Sequence, residues 1–541
     1  MRVRVALAVL VAVSLLLPLS LRPPAGESAG PDSSLVVVAG MWSPPNNFNP
    51  INTDSSYGLY PIHFMFETLV AARLENNKLV LSPLLADRWT VSPDRQTFTF
   101  ELSPTATWTD GKPVTADDVV FTVMAISDPK VDTNRGAQVA QIAGLDVGGK
   151  RAAGAAVGIR AVNARTVEVK TKGPVDPTMF LEVFGNGMYI LPKHVLDGTP
   201  SDQLDKNPFF QNPTVTDGPF KFVQYRTDEY IELAANDTYH RGAPKVRRVF
   251  IRIIPPASMV AQLQRGDMDL GAGFGIGEIP IEDWAAVKKL PNVRAASFPA
   301  PGYQYMLFNF QRPYLQDKRV RQAIAQATNR QLMISQLLQG EGVVADGPIP
   351  PSNTYFDKAV KPWPYDPAKA KGLLQEAGWD ANRTLLLRVP VGNTIRERSA
   401  DIIQQNLQAV GIKVQIQKSD FPTHIAAAKK GDYDLLLVGW SGPTDPDVSS
   451  QYRTNGQYNF SFLSNPDMDR LLDAGVAASD PAKRKDIYDQ FQTLFADQVP
   501  VLVLYYANAR TAVSTRMQNV QTDQDGEYDF APYRWSAGGT H

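Results

Sequence analysis

Four residues in one short segment carry the side chains best suited to chemistry. Trp440, Ser441, Asp445 and Asp447 come at and just after the apolar run DLLLVG. An indole offers a wide apolar face and one N–H donor, and a carboxylate can hold an ammonium group or a sugar hydroxyl. Two nearby carboxylates could also serve as the acid and base of a secreted hydrolase. Gly439, Trp440, Ser441 and Gly442 come close to the turn that exposes a nucleophilic serine. Pro443, however, takes the place of its final glycine, and no histidine is evidently paired with Ser441. The same residue types also have plain structural uses, tryptophan in a core and aspartate in a turn.

Other patterns fall short of a site. Gly144, Gly149 and Lys150 match most of a phosphate-binding loop, but Arg151 stands where the magnesium-binding hydroxyl belongs. The glycines at 271, 273, 275 and 277 alternate without dinucleotide spacing. Five histidines, at 63, 194, 240, 424 and 541, include no pair at metal-ligand spacing, so neither a prebuilt metal site nor a cofactor is expected. There is no cysteine, which removes disulfides, thiolate zinc sites, thiol nucleophiles and the anchored cysteine of a bacterial lipoprotein. Charge is balanced, 54 Lys plus Arg against 55 Asp plus Glu with no long run of one sign, so nucleic acid is not an expected partner.

The elements that must position these residues follow from periodicity. Phe98, Phe100 and Leu102 alternate as in a half-buried strand, and Thr115 with Asp118 three residues on resembles a helix capping box. Residues 34–299 are rich in short strand signals such as LVVVAG, TFTFEL, PFKFVQY and VRRVFIRII, predicting a mixed, largely antiparallel region. Residues 302–498 have another rhythm. LLLRVPV, a helix over 395–410, KVQIQK, a helix over 423–430 and DLLLVGW predict parallel strands with right-handed crossovers. Two further helices open on Asp-Pro, at Asp366 and Asp480, where aspartate caps and proline fits the first turn.

Ligands of open parallel sheets bind beyond the carboxyl ends of the strands, where amides and helix N-termini converge. Three loops qualify, 392–394 with Asn393, 419–421 with Asp420, and 440–447 with Trp440, Ser441, Asp445 and Asp447. From the other side, Met41, Trp42 and Phe48 after the first strand and residues 184–186 could line the cleft. Tyr303, Tyr305 and Asn309 are candidates where the chain passes from one region to the next. At the N-terminus, Arg2, Arg4, an apolar run over 5–21 and a small, polar stretch to 34 form a secretory signal, cleaved after Gly30 or kept as an anchor. Both place the body outside the cytoplasm.

The order of signals in residues 83–123 resembles one family. Pro83, Leu85, Ala86 and Trp89 lead into a hairpin, Asp110 and Gly111 make a turn, and a helix opens as TADDVV from Thr115. Further segments, TDGPFKFVQY, KRVRQAIAQATNR, DPAKAKGLLQEAGW and YDLLLVGW, extend the likeness over most of residues 35–520. The chain is similar to the family 5 extracytoplasmic solute-binding proteins, the peptide and nickel receptors of ABC importers. The resemblance implies an α/β, two-lobed periplasmic-binding-protein-like fold of the large peptide-binder type, with mixed sheets and an interlobe cleft. It implies a signal peptide over 1–30, lobe I over 34–300 with an inserted subdomain at about 62–190, lobe II over 301–497, and a return to lobe I over 498–541. Crossings near 299–304 and 498–500 would form the hinge.

On this resemblance the protein is a receptor and not an enzyme. It would capture oligopeptides or dipeptides as a monomer, close, and deliver them to an ABC permease in the membrane, with an oligosaccharide or a nickel chelate as alternative cargo. The family's peptide receptors often place an aspartate three residues after the cleft tryptophan, where it pairs with the peptide's amino terminus. Here that position is Pro443, and only a remodelled loop would let Asp445 substitute.

Overall fold

The computed structural model describes residues 35–53, 55–75, 78–273, 276–440, 445–478, 480–520 and 531–538. The expected signal segment and Ser441 lie outside them. Among the described residues, no helix is long and apolar enough to cross a membrane.

One twelve-stranded mixed sheet joins the two regions read from the sequence. Its order from one edge is Lys413–Ser419, Thr384–Pro390, Leu435–Trp440, Tyr303–Phe308, Val501–Ser514, Leu270–Gly271, Val36–Met41, Arg248–Ile253, Tyr230–Ala235 and Phe220–Arg226. Val293–Pro299 and Gly342–Val343 also pair with Val501–Ser514. The expected strand and helix succession is present. Thr384–Pro390 runs parallel to both Lys413–Ser419 and Leu435–Trp440. The helices Thr394–Ala409 and Phe421–Lys430 make the crossovers, capped by the side chains of Asn393 and Asp420.

Alternation decides which face each residue of these central strands meets. Met306 and Phe308 join the core on one face, while Tyr303, Tyr305 and Leu307 join the core on the other. Leu435 and Leu437 divide from Leu436 and Val438 in the same way. A strand covered on both sides can therefore be apolar throughout, which is why LLLV reads as an unbroken run.

The Val501–Ser514 strand belongs to both halves of the sheet. Val501 to Tyr505 pair with Tyr303–Phe308, and Asn508 to Ser514 pair with Val293–Pro299. The sequence reading put this return near 498–500. The helix Pro481–Gln498 does end there, with Val499 in the left-handed region at φ 45°, yet the strand keeps its first partner until Tyr505. Two passages thus lie side by side, one between Pro299 and Tyr303 and one between Tyr505 and Asn508.

While Tyr60 to Phe66 join the core of the large sheet, Ile51 and residues 69–210 share a core of their own. It surrounds a four-stranded antiparallel sheet, Ala86–Val91, Thr97–Leu102, Thr166–Lys170 and Ile159–Asn163, with the helix Ala116–Ser127 beside it. That helix opens on the expected box, in which the Thr115 N–H donates to the Asp118 carboxylate at 2.8 Å. Such a cap is worth about 1 kcal/mol and sets where the helix begins.

Candidate functional site

A cavity of about 1200 Å³ opens at the carboxyl ends of the parallel strands, next to the two side-by-side passages. Trp42, Glu182 and Asn186 line it from the first region, and Asn393, Arg396 and Trp440 from the second. Its size exceeds the roughly 300–1,000 Å³ of ordinary small-molecule pockets.

Trp440 ends the Leu435–Trp440 strand directly opposite Tyr303. Its ring meets Tyr458 at 4.9 Å between centroids, tilted by 57°. With the Gln451 amide turned so that its oxygen faces the indole, that oxygen accepts the Trp440 N–H. The side chain is therefore held on one side and half-buried, and it forms part of the cavity wall. A fixed aromatic wall can stack on a ligand without first losing its own freedom.

Asp445 and Asp447 both line the cavity, but their carboxylates are engaged within the protein. The Arg484 guanidinium grips Asp445 through two hydrogen bonds of 2.6 and 2.8 Å, with side chains only 2% and 4% exposed. The Asp445 carboxylate also accepts the Asp447 N–H at 2.9 Å. Both of its oxygens are engaged, so it is not a substitute for the aspartate missing at 443. Asp447 accepts the N–H and hydroxyl of Ser449, at 3.0 and 2.5 Å, and so holds the turn that follows. Burial raises the Asp447 carboxyl above the usual range, and the negative charge of Asp445 adds to the rise.

The remaining sequence candidates divide. Trp42, Tyr303 and Asn393 line the cavity. Trp42 donates its indole N–H to the Met259 sulfur, Tyr303 shares a hydroxyl contact of 2.8 Å with Tyr452, and Asn393 accepts the Arg396 N–H. Phe48 is a correction. It is 1% exposed and packs against Phe222 and Tyr225 away from the cavity. Met41 and Phe184 are likewise core residues. Tyr305 belongs to the core under the sheet. Asn309 is fully buried, its amide N–H groups spent on the carbonyls of Gly431 and Tyr433. Asp420 caps its helix at the surface, while the adjacent Phe421 reaches the cavity rim.

Among the cavity residues that the sequence reading does not single out, two have telling partners. Arg396 sits in the first turn of the Thr394–Ala409 helix, its Nε donating to Gln304 Oε1 at 2.9 Å. Burial pulls its pKa down, and the titratable neighbours that act on it are the phenols of Tyr505 and Tyr305. Glu182 accepts the Asp445 backbone N–H at 2.9 Å, across 263 positions of chain. No local signal marks such a pair.

The rejected patterns are explained locally. Lys150 donates to the carbonyls of Ile126, Asp128 and Val131 at 3.0, 2.9 and 3.0 Å, which makes it a clamp on a loop. His194 meets Asp110, His240 meets Glu67, and His63 and His424 each meet a backbone carbonyl. Among the described residues, no group of three His, Cys, Asp or Glu is placed to hold a metal ion.

The sequence profile of the bacterial extracellular solute-binding proteins, family 5 Middle, matches residues 80–462. The chain is 28% identical to the oligopeptide-binding protein AppA of Bacillus subtilis, over 91% of this chain and 90% of that one. It is 27% identical to the dipeptide-binding protein of Escherichia coli, over 90% and 92%. The fold is similar to that of Bacillus subtilis AppA solved in complex with a nonapeptide, at a TM-score of 0.81 and 25% identity, covering 93% of this chain and 99% of that one.

Proposed function

We propose that this chain, which belongs to the bacterial extracellular solute-binding proteins of family 5, captures peptides and passes them intact to an ABC importer. The observation that carries the proposal is a cavity lined from two parts of the chain that are connected by two adjacent passages, at 299–303 and 505–508. Two lobes on such a double hinge can open to admit a ligand and shut around it.

Closure needs no chemistry. A ligand that touches both walls only in the shut state binds that state better, and the difference shifts the equilibrium. Moving from about 1:99 to 99:1 requires a preference of roughly 10⁴. Trp42, Tyr303, Asn393 and Trp440 are the proposed contacts. Peptide as cargo is supported by the relatives named as oligopeptide- and dipeptide-binding proteins and by the nonapeptide in the similar structure. A large cavity suits a main chain whose amides and carbonyls are paired while varied side chains stay hydrated. The protein would act as a monomer outside the cytoplasm, exported by its N-terminal segment.

The test is capture followed by release. The purified protein is mixed with a defined pool of di- to nonapeptides, washed, and mildly unfolded, and the released material is weighed by mass spectrometry. Intact peptides at one per protein, together with a smaller radius in solution scattering, are expected. Peptides that disappear catalytically, or a scattering curve indifferent to every peptide, would overturn the proposal.

A further inference from the structure

The chain from Leu338 to Val343 turns sharply beside the double passage. Gln339 and Gly340 take successive left-handed conformations, at φ 50° and 85°. A residue with a Cβ holds that conformation only where surrounding bonds impose it. Here the Gly340 N–H donates to the Ile334 carbonyl at 3.0 Å and the Glu341 N–H to the Leu338 carbonyl at 2.7 Å. Gly342 and Val343 then pair with Ala507 and Tyr506, inside the second passage. A Cβ at Gly342 would lie 2.6 Å from the Tyr506 carbonyl oxygen, so only glycine lets the segment come this close. The turn brings Glu341, a residue of the second region, up to the passage.

There its bonds reach the first region. Oε2 accepts the Ser297 hydroxyl at 2.5 Å and Asn508 Nδ2 at 3.0 Å, and the Glu341 carbonyl accepts the Asn508 N–H at 3.1 Å. Asn508 Nδ2 lies 3.2 Å from Ser297 Oγ, which closes a three-residue ring. Oε1 faces the Lys288 ammonium at 3.9 Å. Ser297 belongs to the strand Val293–Pro299, and Lys288 ends the helix Ile281–Val287. Burial works to raise the Glu341 carboxyl, but the Ser297 and Asn508 donors and the Lys288 charge outweigh it and hold the group below the usual carboxylate range. Lys288 is half exposed, so the hydrogen bonds carry most of the attraction.

A rotation about the two passages would carry Glu341 with the second region and Ser297 and Lys288 with the first. These bonds therefore depend on the angle between the regions. They are made in the same arrangement in which Glu182 accepts the Asp445 N–H across the cavity. A contact made in one arrangement favours it by whatever is lost in the other. Asn508 also lines the cavity, so the ring and the ligand wall share a residue. We propose that Glu341 is a clasp across the hinge, which holds the two regions in the shut arrangement and so sets both the shut fraction of the free protein and the tightness with which cargo is kept. This rests on the closing-receptor reading above.

The full-length native protein is compared with Glu341→Ala, Glu341→Gln and Ser297→Ala. Each is measured by small-angle scattering without peptide, by capture from the defined pool of di- to nonapeptides, and by urea unfolding. Loss of the clasp should move the ratio of shut to open about fivefold toward open, the worth of one net hydrogen bond. Glu341→Ala should then have a larger radius than the native protein. Where the free native protein is already open, the same shift reads as peptide held about fivefold more weakly, because apparent affinity falls with the shut fraction. Glu341→Gln keeps an acceptor oxygen and should lie between, and Ser297→Ala should shift in the same direction by less. A residue that merely supports the fold would lower the unfolding midpoint alone. Native radius and native capture in Glu341→Ala, whatever its midpoint, overturn the clasp. If Glu341→Ala does not fold, Ser297→Ala decides by the same two readings. A native protein that captures none of the peptides overturns the peptide reading alone, since the radii of the free proteins still judge the clasp.

Discussion

Arg484 and Asp445 form a closed ion pair at the edge of the ligand cavity, bonded at 2.6 and 2.8 Å, with the Arg484 Nε donating to the Gly475 carbonyl at 2.9 Å. The guanidinium also lies over the rings of Tyr355 and Tyr488, at 5.3 and 5.4 Å. A carboxylate that sequence alone makes a ligand contact is thereby converted into an anchor for the loop that carries it.

Breaking that anchor should cost stability first. Arg484→Ala leaves a buried carboxylate unmatched, and a loss of about 3–5 kcal/mol is expected from urea unfolding. A binding carboxylate behaves otherwise. If Asp445→Asn abolished peptide binding with no change in unfolding midpoint, the structural role would be refuted.

Trp440→Ala should act mainly on the ligand. Its ring is fixed by Tyr458 and Gln451 but remains part of the cavity wall, so affinity should fall by about 1–3 kcal/mol in calorimetry. Equal losses of binding and of stability would make it a core residue instead.

Glu182 and the Asp445 N–H bind the two cavity walls to each other. Glu182→Ala should shift the ligand-free population toward the open form by about 1 kcal/mol, roughly a fivefold change. Scattering of the free protein should report a larger radius in Glu182→Ala than in Glu182→Gln, which keeps an acceptor. Identical curves for both variants and the native protein would discard this latch.

His424 makes stability depend on pH. Burial lowers its pKa from 6.5 to about 4, with the charges of Arg396 and Arg388 adding to the fall, while Nε2 meets the Leu437 carbonyl at 2.9 Å. Between about pH 6.5 and 4 the unfolded chain binds the proton and the folded chain does not. Stability present above pH 6.5 is therefore lost as pH drops through this window. The native protein should lose up to about 1.4 kcal/mol per pH unit more than His424→Gln there. Parallel pH profiles for the two proteins would exclude the effect.

The secondary elements around the cavity were legible because their signals are local. The run LLLRVPV predicts a strand and Asp366 and Asp480 predict helix starts, each within a few residues of what it organises, whereas Asn393 and Asp420, read as ligand contacts, cap their helices. Phe48, Tyr305 and Asn309 read as cleft residues in the sequence but are buried in the structure, for a related reason. Aromatics and amides look alike in sequence whether they meet a ligand or Phe222, Leu307 or the Gly431 carbonyl. Arg396 was passed over because a lone arginine in a polar helix face carries no mark of what lies opposite it.

Order along the chain, family membership and the helix starts at Thr115, Asp366 and Asp480 came from neighbours a few residues apart, where hydrogen bonding and side-chain alternation act directly. Which carboxylate stays available to a ligand did not. Asp445 meets Arg484 from 39 positions away, and Glu182 meets the Asp445 N–H from 263. Ion pairing depends on distance through space and on burial, and both are set only when the sheet has brought its two halves together.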